Sequence, residues 1–270
     1  MNSKLNYHIN QIKKNGFVKL DRFLAKKTTQ QLKDLVNFNY KKYTGKEFTG
    51  TPDRVTDDKM VYNLQNKNYT FIKLITSRNV VEIAKYFLND PYYRFIDNKY
   101  PNYNLLYFNA RSSGKKLDLH IDSHIPFTGK LTNMMQFVFL LEDSTIDNGC
   151  TIVVKKSHKS GKFTDRKSKK IIPLNGKAGD LLIWDSRLWH GTFENNSKLS
   201  RWAIVATFGA WWIKPSMNIT RSLPNTIYKK CNNMQKQILG FCSIPPKDEH
   251  DRINTKCGYS FIKKNVQDYY

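Results

Sequence analysis

The order of apolar and polar positions changes character once along the chain, and that change predicts the architecture. In the first third the spacing is largely helical. Residues 5–14 predict a short helix ending at Gly16, a natural C-terminal stop. GFVKLDRFL (16–24) then alternates as a strand does, and Thr28 and Thr29 are placed to cap a helix running to about Tyr43. RNVVEIAKYFL (78–88) predicts a further helix, stopped by Asn89-Asp90-Pro91. Residues 44–70 are polar and lack strong periodicity, as expected of a lid-like loop over a site mouth.

From about residue 93 the pattern becomes one of short strands separated by turn signals. The strand-like runs are YNLLYFNAR (103–111), LDLHID (117–122), MMQFVFLLE (134–142), CTIVV (150–154), DLLIWD (180–185), LWHGTF (188–193) and RWAIVATFGAW (201–211). Ser-Ser-Gly, Asp-Asn-Gly, Lys-Ala-Gly-Asp and Asn-Asn-Ser join them. Many short strands at this spacing predict an antiparallel barrel or double-sheet jelly roll. After residue 213 the chain is irregular, with one helix expected over 226–239 and stopped by Gly240. The expected fold class is therefore mainly β with flanking helices. One domain over 1–270 is expected: a mostly helical part to residue 92, a jelly-roll core over 93–212 and a C-terminal cover from 213.

Composition narrows the class. With 40% hydrophobic and 13% aromatic residues, the chain can bury a core and is not a disordered polyelectrolyte. No uninterrupted apolar run is longer than the five residues 137–141, so no membrane-spanning helix is expected. MNSKLNYHINQIKKNG at the start carries no secretory signal, and a cytoplasmic location is expected. The 45 Lys and Arg against 22 Asp and Glu give a formal charge of +23, which first suggests nucleic acid, an anionic membrane surface or an acidic small molecule. Lys outnumbers Arg 35 to 10, however, and readers of bases and phosphates lean on the bidentate Arg fork. A biased composition accounts for most of that excess, and nucleic acid is not favoured as a partner. Cys150, Cys231, Cys242 and Cys257 form no C-x-x-C pair and read as reduced, structural thiols.

The chemistry concentrates at His120-Ile121-Asp122. Residues i and i+2 of a strand project from one face, so His120 and Asp122 can grip one cation. His190 in LWHGT is the best-placed third ligand. Two His and one carboxylate on one face leave open positions, the arrangement of non-haem Fe(II) oxygenases. Thr192 shares His190's face by parity, and Arg201 follows eleven residues after His190, past Glu194-Asn195-Asn196-Ser197. A hairpin there would bring Arg201 back beside His190 and Thr192. Its rigid fork and the Thr hydroxyl would then anchor the distal carboxylate of a 2-oxo diacid.

In this order and spacing the motifs resemble the phytanoyl-CoA dioxygenase (PhyH-like) family of Fe(II)/2-oxoglutarate-dependent oxygenases. The resemblance rests on His120-Ile121-Asp122, on FLLEDSTIDNGCTIVVKKSH (139–158), on GDLLIWDSRLWHGTFENNS (179–197) and on Arg201, and runs from about residue 10 to 215. The tail 239–259 also looks like tails in part of the family. The resemblance implies a double-stranded β-helix (cupin-like jelly roll) and Fe(II) on His120, Asp122 and His190. It implies 2-oxoglutarate held by Arg201 and Thr192, and by position it nominates Asn109 and Gln136 as further co-substrate contacts. It implies hydroxylation of an unactivated C–H bond of a small molecule, with O2 consumed and succinate and CO2 released. Two departures stand out. The family's Pro-Gly-Ser-His reads Lys155-Lys156-Ser157-His158, so a tight turn is expected to give way to a basic segment, and Cys150 replaces a small residue.

Tyr107, His124 and Trp184 are weaker candidates for the substrate side, Trp184 by parity with His190. The eight basic residues and one acid of 155–170 suit either a solvated loop or a clamp for an anionic or carrier-linked substrate. Two other readings stay open: a nucleic-acid- or protein-modifying oxygenase on the same barrel, and a non-catalytic cupin-like binding protein.

Overall fold

The computed structural model describes residues 3–43, 58–92, 100–165, 167–197 and 199–244. The 44–57 part of the loop expected over 44–70, the end of the cover, the 245–259 part of the tail resemblance and Cys257 lie outside them. The chain forms two units, one of residues 1–64 and 108–206, the other of 65–107 and 207–270.

In the first unit α1 (Ser3–Asn15) ends where Gly16 takes φ +91°. β1 (Phe17–Leu20) follows, then α2 (Lys26–Tyr43). α2 starts ahead of the expected Thr cap: Thr29 is buried in its first turn and donates its hydroxyl to the Ala25 carbonyl (3.1 Å). β2 (Asp58–Val61) pairs antiparallel with β3 (Tyr103–Ser113), so part of the stretch expected to be loop is an edge strand. The remaining strands are β4 (Leu117–His120), β5 (Met134–Leu140), β6 (Thr151–Val154), β7 (Ile171–Leu174), β8 (Leu181–Asp185), β9 (His190–Thr192) and β10 (Ala203–Ala210). They make a six-stranded sheet in the order β1-β8-β5-β10-β3-β2 and a four-stranded sheet in the order β4-β9-β6-β7.

Alternation along the strands sets the two faces. Val138 and Leu140 of β5, Val153 of β6, Leu174 of β7 and Leu182 and Trp184 of β8 pack together with Leu188 as the core between the sheets. Leu119, Ile152 and Val154 point the opposite way and pack with Ile171, Trp189 and Phe193 on the outer face of the smaller sheet. This is the double-sheet jelly roll, one of the two architectures that the strand pattern predicted, and the double-stranded β-helix that the resemblance implied.

In the second unit α3 (Tyr69–Ile75) is capped by the Asn68 side chain, and α4 (Arg78–Leu88) runs over the residues predicted. α5 (Ile219–Ser222) is short. The single helix expected over 226–239 is two, α6 (Asn225–Tyr228) and α7 (Asn233–Ile238). The break lies at Asn232, whose side chain forms a capping box with Gln235. An Asn there favours starting a helix over continuing one. No helix among the described residues is long and apolar enough to cross a membrane.

Candidate metal centre

His120 and His190 face each other across the β4–β9 pair, with a bulge between Leu117 and His120. Gly191 permits this closeness. A Cβ on it would run into the Leu117 carbonyl and the Asp118 backbone, so Gly191→Ala is expected to push β4 away from β9. A lower melting temperature together with weaker metal binding in that variant would show it; unchanged metal binding would contradict the account.

Asp122 lies beyond the end of β4, not on the strand as the sequence pattern predicted. Its N–H donates to the Ser186 carbonyl (2.9 Å), as does that of Ser123 (3.1 Å). The turn after β8 thus holds the backbone that presents the carboxylate. Asp122 Oδ2 lies 3.1 Å from His190 Nε2, and Oδ1 lies 3.4 Å from His120 Nε2. One ligand atom from each of the three residues falls within 4.8 Å of the others.

The orientation of both imidazoles has the same local cause. His120 Nδ1 lies 2.9 Å from the Asp118 carbonyl and His190 Nδ1 lies 2.9 Å from the Leu188 carbonyl, each two residues back. A carbonyl only accepts, so Nδ1 carries a proton and Nε2 faces the cluster, donating to Asp122 while it is protonated and offering its lone pair to a metal once it is not. Burial raises the Asp122 pKa, but the charge of His190 and hydrogen bonds from both imidazoles outweigh it and hold the carboxyl well below the usual range. At His120 burial acts downward and the Asp122 partnership upward, and the partnership prevails. The Arg111 charge opposes it, which places a guanidinium within electrostatic reach of the cluster.

Gln136 is buried opposite Trp184 on the neighbouring strand and donates from Nε2 to Asp122 Oδ2 (2.7 Å). Its place is thus behind the carboxylate. Trp184 is buried with its ring centroid 5.0 Å from that of His190, and its Nε1 has no partner. Asn109 is buried on β3 and accepts the Asn63 N–H at Oδ1 (2.8 Å), while its Nδ2 also lacks a partner. His124 is exposed in the turn after Asp122, with φ +61°. Tyr107 is a half-buried residue of β3 in the second unit.

The hairpin expected to return Arg201 beside His190 does not form. β9 already has β4 on one side and β6 on the other, so the chain crosses to the larger sheet and β10 lies between β5 and β3. Arg201 sits two residues before β10, half-buried, its N–H donating to Ser112 Oγ (3.0 Å). Its charge still reaches the Cys150 thiol, and the Cys150 carbonyl accepts the N–H of Phe193 (3.1 Å), next to Thr192. Thr192 pairs with Thr151 and Leu117, and its hydroxyl accepts the Leu117 N–H (3.1 Å).

The Lys155-Lys156-Ser157-His158 departure keeps a tight turn. Lys156 takes φ +68°, the left-handed region natural to glycine, and leads into a 3-10 turn over Ser157–Lys159. Ser157 Oγ accepts the Trp189 N–H (2.8 Å), tying this turn to the residue before His190. Burial pushes the Cys150 and Cys231 thiols up to about 11 and the Cys242 thiol up to about 12, in keeping with unreactive structural cysteines.

Sequence reasoning missed the support beneath the site. Asp185 and Arg187 form a buried bidentate pair (Nε–Oδ1 2.9 Å, Nη2–Oδ2 2.7 Å). Thr132 donates to the same carboxylate (2.8 Å), and Arg187 reaches the Gly129 carbonyl (3.1 Å) and stacks over Phe127. The Asp-x-Arg spacing was the only signal available.

The phytanoyl-CoA dioxygenase (PhyH) family model matches residues 12–203. The chain belongs to this family. Phytanoyl-CoA dioxygenase 1 of Oryza sativa subsp. japonica is 32% identical over 109 residues, covering 33% of this chain and 39% of that protein. The chain spans about two fifths of the length of the curated relatives it matches. Among solved structures, HygX from Streptomyces hygroscopicus with nickel and 2-oxoglutarate bound superposes with a TM-score of 0.61 at 15% identity, over 79% of this chain and 89% of that one. The 2-oxoglutarate-dependent epimerase SnoN from nogalamycin biosynthesis gives 0.59 at 16% identity, over 83% and 91%. Both likenesses show that this PhyH member has the jelly-roll fold of those enzymes.

Proposed function

We propose that the chain is an Fe(II)/2-oxoglutarate-dependent dioxygenase acting on a small molecule, with His120, Asp122 and His190 as the iron ligands. The observation that carries this reading is the cluster itself: two imidazoles with Nδ1 engaged and Nε2 turned inward, beside an ionised carboxylate. That donor set suits a divalent transition metal and leaves room for further ligands. Bound there, the metal and 2-oxoglutarate supply the oxidising chemistry, in which O2 and the oxo acid yield succinate and CO2 as a substrate C–H bond is oxidised.

The protein's own part is placement. The Asp118 and Leu188 carbonyls fix the imidazoles, the Ser186 carbonyl fixes the Asp122 backbone, and Gln136 fixes its carboxylate. Asn109 Nδ2 and Trp184 Nε1 are buried donors without partners, and an acceptor-rich ligand such as 2-oxoglutarate would satisfy them. Arg201, with Thr192, is the proposed anchor of the distal carboxylate. The test is anaerobic titration with Fe(II) and 2-oxoglutarate, followed by succinate release across candidate substrates. Arg201→Ala is expected to raise the 2-oxoglutarate requirement by roughly 10- to 100-fold, the worth of a charge-assisted bidentate contact. An unchanged requirement would remove Arg201 from this role.

A further inference from the structure

We propose that the loops 124–131 and 159–163 together form a docking face for an anionic lipid surface. Three large apolar side chains stand out of these loops: Ile125 at 70% exposure, Leu131 at 83% and Phe163 at 67%. Singly exposed apolar residues are ordinary, but here they crowd into two short loops that touch. Gly161 packs so closely on Thr128 that a Cβ on it would collide with the Thr128 side chain and lie 3.5 Å from its backbone nitrogen.

Neither loop is a loose flap. Trp189 Nε1 donates to the Lys162 carbonyl (3.2 Å), Thr164 Oγ1 donates to the Leu119 carbonyl (2.9 Å), and Arg187 holds the Gly129 carbonyl. The apolar side chains are therefore presented to solvent by anchored backbone.

Their neighbours are cationic. Lys130, Lys159 and Lys162 are exposed, and none pairs with a carboxylate among the described residues. The one acid between 155 and 170, Asp165, accepts the Lys167 backbone N–H. Lysines around protruding Ile, Leu and Phe complement phosphate headgroups over an apolar interior. A nucleic-acid face would favour Arg forks and stacked aromatic rings, and this face exposes lysines and one Phe, Phe163, while Phe127 is half-buried under Arg187. The first loop begins two residues after Asp122, so docking would hold the metal cluster close to lipid.

Sedimentation of the purified chain with large vesicles tests the proposal without Fe(II) or 2-oxoglutarate, so its outcome is separate from the catalytic reading. The chain is expected to sediment with vesicles of equal parts phosphatidylcholine and phosphatidylglycerol but not with phosphatidylcholine alone, and to be released by high salt. Leu131→Ser with Phe163→Ser, which leaves the charge intact, is expected to weaken partitioning at least about tenfold. Neutralising Lys130, Lys159 or Lys162 should weaken it by roughly fivefold each. Failure of the unmodified chain to bind the anionic vesicles overturns the proposal, and that comparison needs no variant. So does binding that the Leu131/Phe163 variant retains in full, which would mean that charge alone holds the chain on the vesicles and that the protruding apolar side chains take no part.

Discussion

Asp122→Ala is expected to abolish Fe(II)-dependent succinate release, lowering it by more than about a hundredfold. Loss of a residue that merely supports a metal ligand already costs about 10- to 100-fold in affinity or activity. Asp122 is the cluster's only carboxylate, and its removal leaves two neutral nitrogens for a doubly charged ion. The variant also strips Gln136 of the acceptor it meets at 2.7 Å in a buried position. A melting curve on the metal-free protein therefore belongs beside the activity assay. A modest loss of stability with complete loss of Fe(II) binding is the expected pair of results. Turnover persisting in the folded variant would refute the ligand assignment.

Arg187→Met is expected to destabilise the fold by about 3–5 kcal/mol, the usual cost of breaking a buried ion pair from one side. Methionine fills much of the volume, so the damage comes from charge and hydrogen bonding. Asp185 would be left buried with only the backbone N–H of position 187 and the Thr132 hydroxyl as partners, and the Gly129 carbonyl would lose its donor. Against a typical total of about 5–15 kcal/mol, such a loss is readily seen in a urea midpoint. Replacing Asp185 by Leu in the same chain should recover a large part of it, because an isosteric apolar pair avoids the stranded charge. Equal midpoints for the original chain and the Arg187→Met variant would show that the pair contributes nothing net.

These two sites differ in how visible they were in the sequence. His120, Asp122 and His190 announced themselves by residue type and spacing, because metal binding restricts chemistry at particular positions. The α4 helix was legible for a similarly local reason, an apolar stripe at helical period closed by Asn-Asp-Pro. Pairing between distant strands leaves no such local mark. The neighbours of β9 follow from the sheet order, so the hairpin expected for Arg201 was the wrong connection even though Arg201 and Thr192 fall near Cys150. β7 went unseen because Pro173 argues against a strand; it is tolerated there because β7 is the edge of its sheet. Asp122 was assigned to a strand because i and i+2 parity describes β4, whereas the turn after β8 supplies its real support. The Asp185–Arg187 pair spans one intervening residue, and nothing in that spacing tells a buried clamp from two exposed charges.

The facing positions of His120 and His190 on β4 and β9 have a consequence for the life of the protein in the cell. An ion held by both strands and by the turn after β4 acts as a cross-link present only in the folded chain. Its binding energy then adds to folding energy, by about 2.7 kcal/mol when free metal stands a hundredfold above its dissociation constant. Metal supply would thus set how often β4 and β9 come apart, and with it how long a molecule survives cellular proteases before it has met any substrate.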